Sequence, residues 1–191
     1  MQRIAAVLLI IILFPALLLL SLFIVTFSGL PIFFTQKRAG KNKIPFTIYK
    51  FRTMIISADK KKESLMSLNE RTSPVFKIRN DPRFTKIGKF LSHTGLDELP
   101  QLINILKGDM VFVGPRPFPI DESEKIPRNY DKRFDVLPGI TSSWVTQGPD
   151  RLSFAEWMRL DCEYVENKYW TTDIKIGIKT ILLIIRFIQK I

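Results

Sequence analysis

An apolar run without a single charge, Ile4 to Phe27, constrains this chain more than any other feature. As a continuous helix rising 1.5 Å per residue it would reach about 36 Å, enough to cross the hydrocarbon core of a bilayer. The run is too long for a cleaved leader, and no small-x-small cleavage site follows it. Pro15 sits mid-run, where it removes one backbone hydrogen bond and bends a helix. Two geometries fit: a kinked span, or a helix–break–helix that enters and leaves by the same face. Lys37, Arg38, Lys41 and Lys43 follow the run and keep its C-terminal side cytoplasmic by the positive-inside rule. At 191 residues the chain suits one folded domain plus a membrane element.

The centre of that domain is the stretch from Leu96 to Met110, running on into Val111-Phe112-Val113-Gly114-Pro115-Arg116-Pro117. Leu99, Leu102, Ile103 and Leu106 have the i, i+3, i+4, i+7 spacing of one buried helix face. Gly95 serves as the cap, Pro100 is tolerated in the first turn, and Gly108 ends the helix. Asp97 and Glu98 stand in that first turn. Acids there usually just complement the helix dipole, and neighbours about 100° apart need not share a proton. A short buried strand, Val111–Val113, then leads to a rigid Pro-Arg-Pro turn. An acid pair at a positive helix end, followed by a fixed guanidinium, is a layout for phosphate chemistry.

The formal net charge of +11 implies an anionic partner. The Lys60-Lys61-Lys62 run lacks interleaved aromatic residues to stack bases, so nucleic acid is disfavoured. Cys162 is the only cysteine, which excludes an internal disulfide and fits a reducing cytosol. No Cys/His cluster suggests zinc, and the lone His93 reads as an ordinary exposed or satisfied histidine. Pro45 to Met54 has a strand-like pattern, on which Lys50 and Arg52 point to the same side. Ser57 to Arg71 reads as polar surface helix and loop. A second helix is expected from near Arg83 through Phe90 and Leu91, and a third over Phe154 to Tyr169. In the tail, Lys175, Lys179, Arg186 and Lys190 fall within about 60° on a helical wheel, with isoleucine and leucine around the rest. Such a basic stripe suits the headgroup boundary of an anionic leaflet.

The run Leu-Asp-Glu-Leu-Pro-Gln-Leu, Asn, Leu-Lys-Gly-Asp-Met and Val-Gly-Pro-Arg-Pro between Leu96 and Pro117 resembles the hallmark of the bacterial polyprenyl-phosphate sugar-1-phosphate transferases, the small monotopic phosphoglycosyl transferases. The resemblance extends to Phe34–Arg38, Tyr49–Met54, Asp81–Gly88, Pro138–Thr141 and Leu160–Val165, in the family's order. It implies a helix-rich α/β domain with short strands, associated with the membrane. Residues 1–30 would form a re-entrant membrane helix broken at Pro15, residues 31–172 the cytoplasmic catalytic domain, and residues 173–191 an amphipathic helix on the membrane surface. The implied reaction moves a sugar 1-phosphate from a UDP-sugar to undecaprenyl phosphate at the cytoplasmic face of the bacterial inner membrane. Asp97 would be the nucleophile and the ligand of a Mg2+ ion, and Glu98 its catalytic companion. Lys50, Arg52, Gln101 and Arg116 would contact phosphate or substrate. Homo-oligomerisation stays open. The chain departs from the family pattern at Phe14 and Gly95, each where serine is usual, at Ser92, where arginine is usual, and through Ser142–Arg151. A non-catalytic membrane scaffold for glycan assembly is the alternative.

Overall fold

In the computed structural model, which describes residues 1–148 and 151–189, the apolar run forms one helix, α1 (Gln2–Ser28). Pro15 lies on its exposed face, and the helix continues through it rather than ending there. One stripe of α1 (Ala6, Ile10, Leu13, Leu17, Leu20 and Ile24) packs along the globular body, with Ala6 and Ile24 fully buried. The 4-3-4-3-4 spacing of that stripe is what holds a single helix face against a partner over its length. Both ends of α1 touch the same body. The Gln2 side chain accepts from the Phe112 N–H at 3.1 Å, and Ser28 Oγ donates to Thr85 Oγ1 at 3.0 Å. The opposite face, including Ile4, Ile11, Leu18, Leu22 and Phe27, stays exposed.

Strands β1 (Phe33–Ala39) and β2 (Pro45–Phe51) form an antiparallel hairpin in which Phe34 faces Lys50 and Thr35 faces Tyr49. The strand stops at Phe51, short of the expected Met54; the Arg52 N–H still donates to the Ile32 carbonyl at 2.8 Å, while its side chain turns to the end of α1. Two 3₁₀ segments, Ala58–Lys61 and Glu63–Leu68, make up the polar stretch that follows. Helix α2 (Lys86–Thr94) begins later than the sequence suggests, since Asp81 takes the Arg83 side chain in a tight turn and Thr85 provides the cap through Gly88 N–H.

The acid-bearing stretch is not one α-helix. A 3₁₀ turn (Leu96–Gln101) precedes α3 (Leu102–Lys107), and the tighter winding rotates the later residues. Leu102 and Ile105 therefore turn into the core beside Leu106, whereas Ile103, expected inside, is exposed. Gly95 ends α2 and opens the 3₁₀ turn at φ +74°, a left-handed conformation that glycine adopts without strain. Gly108 ends α3 in the same way, as expected.

Strand β3 (Val111–Val113) occupies the residues anticipated for it and pairs in parallel with β4 (Gly139–Thr141). A short helix, α4 (Ile120–Ser123), lies between them in the chain. Helix α5 (Phe154–Glu166) opens with a Ser153–Glu156 capping box and ends before Tyr169. Its Trp157 stacks on Trp144 at 4.5 Å between ring centres, within a core that includes Ala39, Phe118, Phe134 and Met158. Helix α6 (Trp170–Ile188) is anchored early, by Ile176 against Val113 and Tyr164 and by a 2.7 Å hydroxyl contact between Thr180 and Thr141. From Ile181 to Ile185 its residues are all exposed, as are Lys175, Lys179 and Arg186; Lys190 lies outside the described residues. The molecule is helix-rich with few short strands.

Candidate active site

The 3₁₀ turn presents Asp97 and Glu98 toward the end of β2 and the Pro115-Arg116-Pro117 turn. Lys50 Nζ donates to Glu98 Oε1 at 2.6 Å and lies 3.6 Å from Asp97 Oδ2. Arg116 grips Glu98 with both terminal nitrogens: Nη1 donates to Oε2 at 3.2 Å, and Nη2 donates to Oε1. Four groups that the sequence singled out (Lys50, Asp97, Glu98 and Arg116) thus form one cluster, although Lys50 is far from the others in the chain.

The two carboxylates are not equivalent. Glu98 has two cationic partners and a bidentate fork, the stronger kind of charge-assisted contact. Burial pushes its carboxyl up, but Arg116 and Lys50 outweigh burial and hold it well below the usual glutamate range. Asp97 is 7 % exposed and held more loosely. Burial raises its carboxyl, the neighbouring Glu98 adds to the rise, and Lys50 and Arg116 offset only part of it. The result is one fixed anion beside a second carboxylate that retains basicity, with Lys50 close to both and Arg116 on Glu98.

Gln101 is enclosed at the end of the same turn, 2 % exposed. Arg52 is elsewhere. Its Nε donates to the Pro31 carbonyl at 2.6 Å and its Nη2 to the carbonyls of Ser28 and Gly29 at 2.6 and 2.5 Å. These acceptors sit at the C-terminal, negative end of α1, where a guanidinium satisfies carbonyls left over by the helix. Arg52 therefore fastens α1 to the domain. His93 is exposed, its Nδ1 2.7 Å from the Lys89 carbonyl.

Several residues around the cluster carried no site role in the sequence, where Arg38 counted only toward membrane topology. Arg38, on β1, donates to the Pro117 carbonyl at 3.1 Å. Burial and the charge of Arg116 lower its pKa to about 10, while Glu122 and Glu98 pull the other way. Arg133 donates through Nη2 to the Arg116 carbonyl at 2.6 Å and through Nε and Nη2 to Asp161 Oδ2 at 3.1 and 2.8 Å. Both ions of that pair are almost fully enclosed, and the guanidinium lies between the Phe118 and Phe134 rings. Asp161 stands in a family-like segment, a signal that was visible; nothing in the sequence marks Arg133. Among the described residues, no group of three or more His, Cys, Asp or Glu is placed to hold a metal ion.

The model of the bacterial sugar transferase family matches residues 1–187. Over 159 residues, 83 % of this chain and 35 % of the relative, the sequence is 42 % identical to the galactosyl transferase CpsE of Streptococcus agalactiae. It is 36 % identical over 166 residues to the undecaprenyl-phosphate galactose phosphotransferase of Salmonella typhimurium, covering 85 % of this chain and 35 % of that protein. To the exopolysaccharide production protein ExoY of Rhizobium meliloti it is 38 % identical over 174 residues, 88 % of this chain and 77 % of the relative. The match thus spans about a third of the length of the first two relatives and most of the third.

Proposed function

The chain belongs to the bacterial sugar transferase family, and from that premise we propose that it transfers a sugar 1-phosphate from a UDP-sugar to undecaprenyl phosphate. The observation that carries this reading is the unequal acid pair: Glu98 locked by Lys50 and Arg116, Asp97 beside it buried, basic and loosely held. An Asp97 carboxylate oxygen attacks the β-phosphorus of the UDP-sugar. The bond from that phosphorus to the bridging oxygen breaks, and UMP leaves with the bridging oxygen and its electron pair. A phosphate oxygen of undecaprenyl phosphate then attacks the same phosphorus, expels the carboxylate and gives a polyprenyl diphosphate sugar. Splitting one displacement in two is the advantage of covalent catalysis. Lys50 and Arg116 neutralise charge on the phosphoryl oxygens, and Glu98 holds both cations in place.

The loosely held Asp97 carboxylate suits Mg2+, which takes few carboxylates, keeps several waters and binds phosphate oxygens. Asp97 would be its protein ligand, and the bound ion would offset the diphosphate charge.

The protein works from the cytoplasmic face of the bacterial inner membrane. Support comes from α1, whose two ends contact the same body and whose outer apolar face stays exposed, so that helix and domain meet the bilayer from one side. A helix spanning the bilayer would carry Gln2 away from Phe112. The exposed apolar length of α6, with Lys175, Lys179 and Arg186, would lie at the headgroup boundary.

The test is UMP release by detergent-purified protein given undecaprenyl phosphate, Mg2+ and a panel of UDP-sugars. Release with one sugar, abolished in Asp97→Asn, is the expected result. Release that persists in Asp97→Asn would sink the covalent role. Silence across the panel from folded protein, with a working control enzyme, would favour the scaffold.

A further inference from the structure

We propose that Asn104 is a positioning residue that sets Lys50 against the acid pair. Asn104 is fully buried in α3, and its side chain bonds to a strand rather than to its own helix. Its Oδ1 accepts from the Tyr49 N–H at 3.1 Å, while its Nδ2 donates to the Thr47 carbonyl at 2.7 Å and lies 3.4 Å from Asp109 Oδ2. Among the described residues the sheet has two strands, so β2 has β1 along one edge and no strand along the other. The Asn104 amide occupies that second edge as a strand residue would, with one donor and one acceptor reaching residues two apart. Its own carbonyl accepts from the N–H groups of Gly108, Asp109 and Met110 at 3.0, 2.9 and 3.3 Å, which fixes the exit from α3.

One residue therefore ties the acid-bearing turn and α3 to the strand that carries Lys50, the neighbour of Tyr49. The amide is specific to this task. Aspartate cannot donate to Thr47 and would bring a second carboxylate beside Asp109, whereas serine is too short to reach both backbone groups. Aspartate leaves the Thr47 carbonyl without its donor, serine leaves the Tyr49 N–H or the Thr47 carbonyl unpaired, and β2 relieves the loss by moving away from α3. Lys50 Nζ then loses its 2.6 Å contact with Glu98.

The kinetic consequence rests on the transferase reading above, so the experiment has a second arm that needs no turnover. In the first arm, kcat and KM for the UDP-sugar are measured for wild type, Asn104→Asp, Asn104→Ser, Lys50→Met and both doubles. Each Asn104 variant is expected to lower kcat about tenfold or more, yet to change it less than about threefold in the Lys50→Met background. Effects that simply multiply would overturn the proposal. In the second arm, Lys50 is acetylated with limiting acetic anhydride and quantified by mass spectrometry. Its labelling should rise several-fold in both variants while that of Lys62 and Lys132 stays constant. Unchanged labelling of Lys50, a uniform rise at all three lysines, or loss of the fold in both variants would overturn the proposal in favour of a purely structural asparagine. A wild type silent with every sugar fails the transferase reading alone, and the labelling arm still decides this one.

Discussion

Removing the Asp161 carboxylate, in Asp161→Ala, should destabilise this protein far more than removing it together with Arg133. Asp161 and Arg133 have side chains about 1 % exposed, and Arg133 has no water to turn to once its partner is gone. Its remaining contacts, the Arg116 carbonyl and the two phenylalanine rings, do not neutralise a unit charge. Leaving one ion of a buried pair uncompensated costs about 3–5 kcal/mol. For a domain of this length each kcal/mol is worth roughly 2–4 °C of midpoint, so the expected fall is on the order of 10 °C. Arg133→Met with Asp161→Leu fills the same space without charge and should recover most of that loss, because apolar replacement of a buried pair is often neutral or better. The double variant should still be a poor enzyme. With Arg133 gone, the Arg116 carbonyl loses its 2.6 Å donor, and a turn free to drift by about 1 Å costs on the order of 100-fold in rate. Thermal unfolding in detergent, followed by tryptophan fluorescence, and UMP release measured on the same preparations provide both readouts. A double variant as unstable as Asp161→Ala would refute the electrostatic account, and a stable, fully active double would refute the link to Arg116.

Three further outcomes follow from the site. Asp97→Asn should abolish UMP release while raising the unfolding midpoint near pH 8 without Mg2+. The folded state raises the Asp97 pKa, so the stability tied to its protonated form is fully present below the unfolded value and lost as pH rises through the folded one. Asparagine avoids that loss, so its advantage should fade as the pH falls below the ordinary aspartate range, and an advantage independent of pH would contradict this. Arg116→Lys keeps a charge but not the two-pronged hold on Glu98, and kcat should fall about 100-fold with little change in midpoint. Arg52→Met strips three carbonyls of their donor and should lower stability by about 2–3 kcal/mol, while KM for the UDP-sugar on the folded fraction stays put. A raised KM would return Arg52 to the substrate.

Sequence alone determined the parts whose signals are local. The charge-free run compelled a long apolar helix, since its backbone groups are satisfied within the helix and its side chains have no other preference. Gly108 and the residues Val111–Val113 marked a stop and a strand because glycine at positive φ and a β-branched, aromatic triplet are short-range effects. The motif between Leu96 and Pro117 also named the carboxylates and Arg116. Tertiary structure decided what depends on distant partners. Asp97 and Glu98 look alike in the sequence; they differ because Lys50 and Arg116, brought from β2 and the Pro-Arg-Pro turn, both close on Glu98. Lys50 and Arg52 share a strand pattern, yet only Lys50 meets the acids, because Arg52 is captured by the leftover carbonyls of α1. Ile103 sat on the apolar face of an ideal α-helix, but the 3₁₀ turn before it changed the phase and exposed it. Asn104 acquires its role from backbone groups of β2, and Arg133 from the Arg116 carbonyl and the Asp161 carboxylate; periodicity along the chain carries no record of such partners.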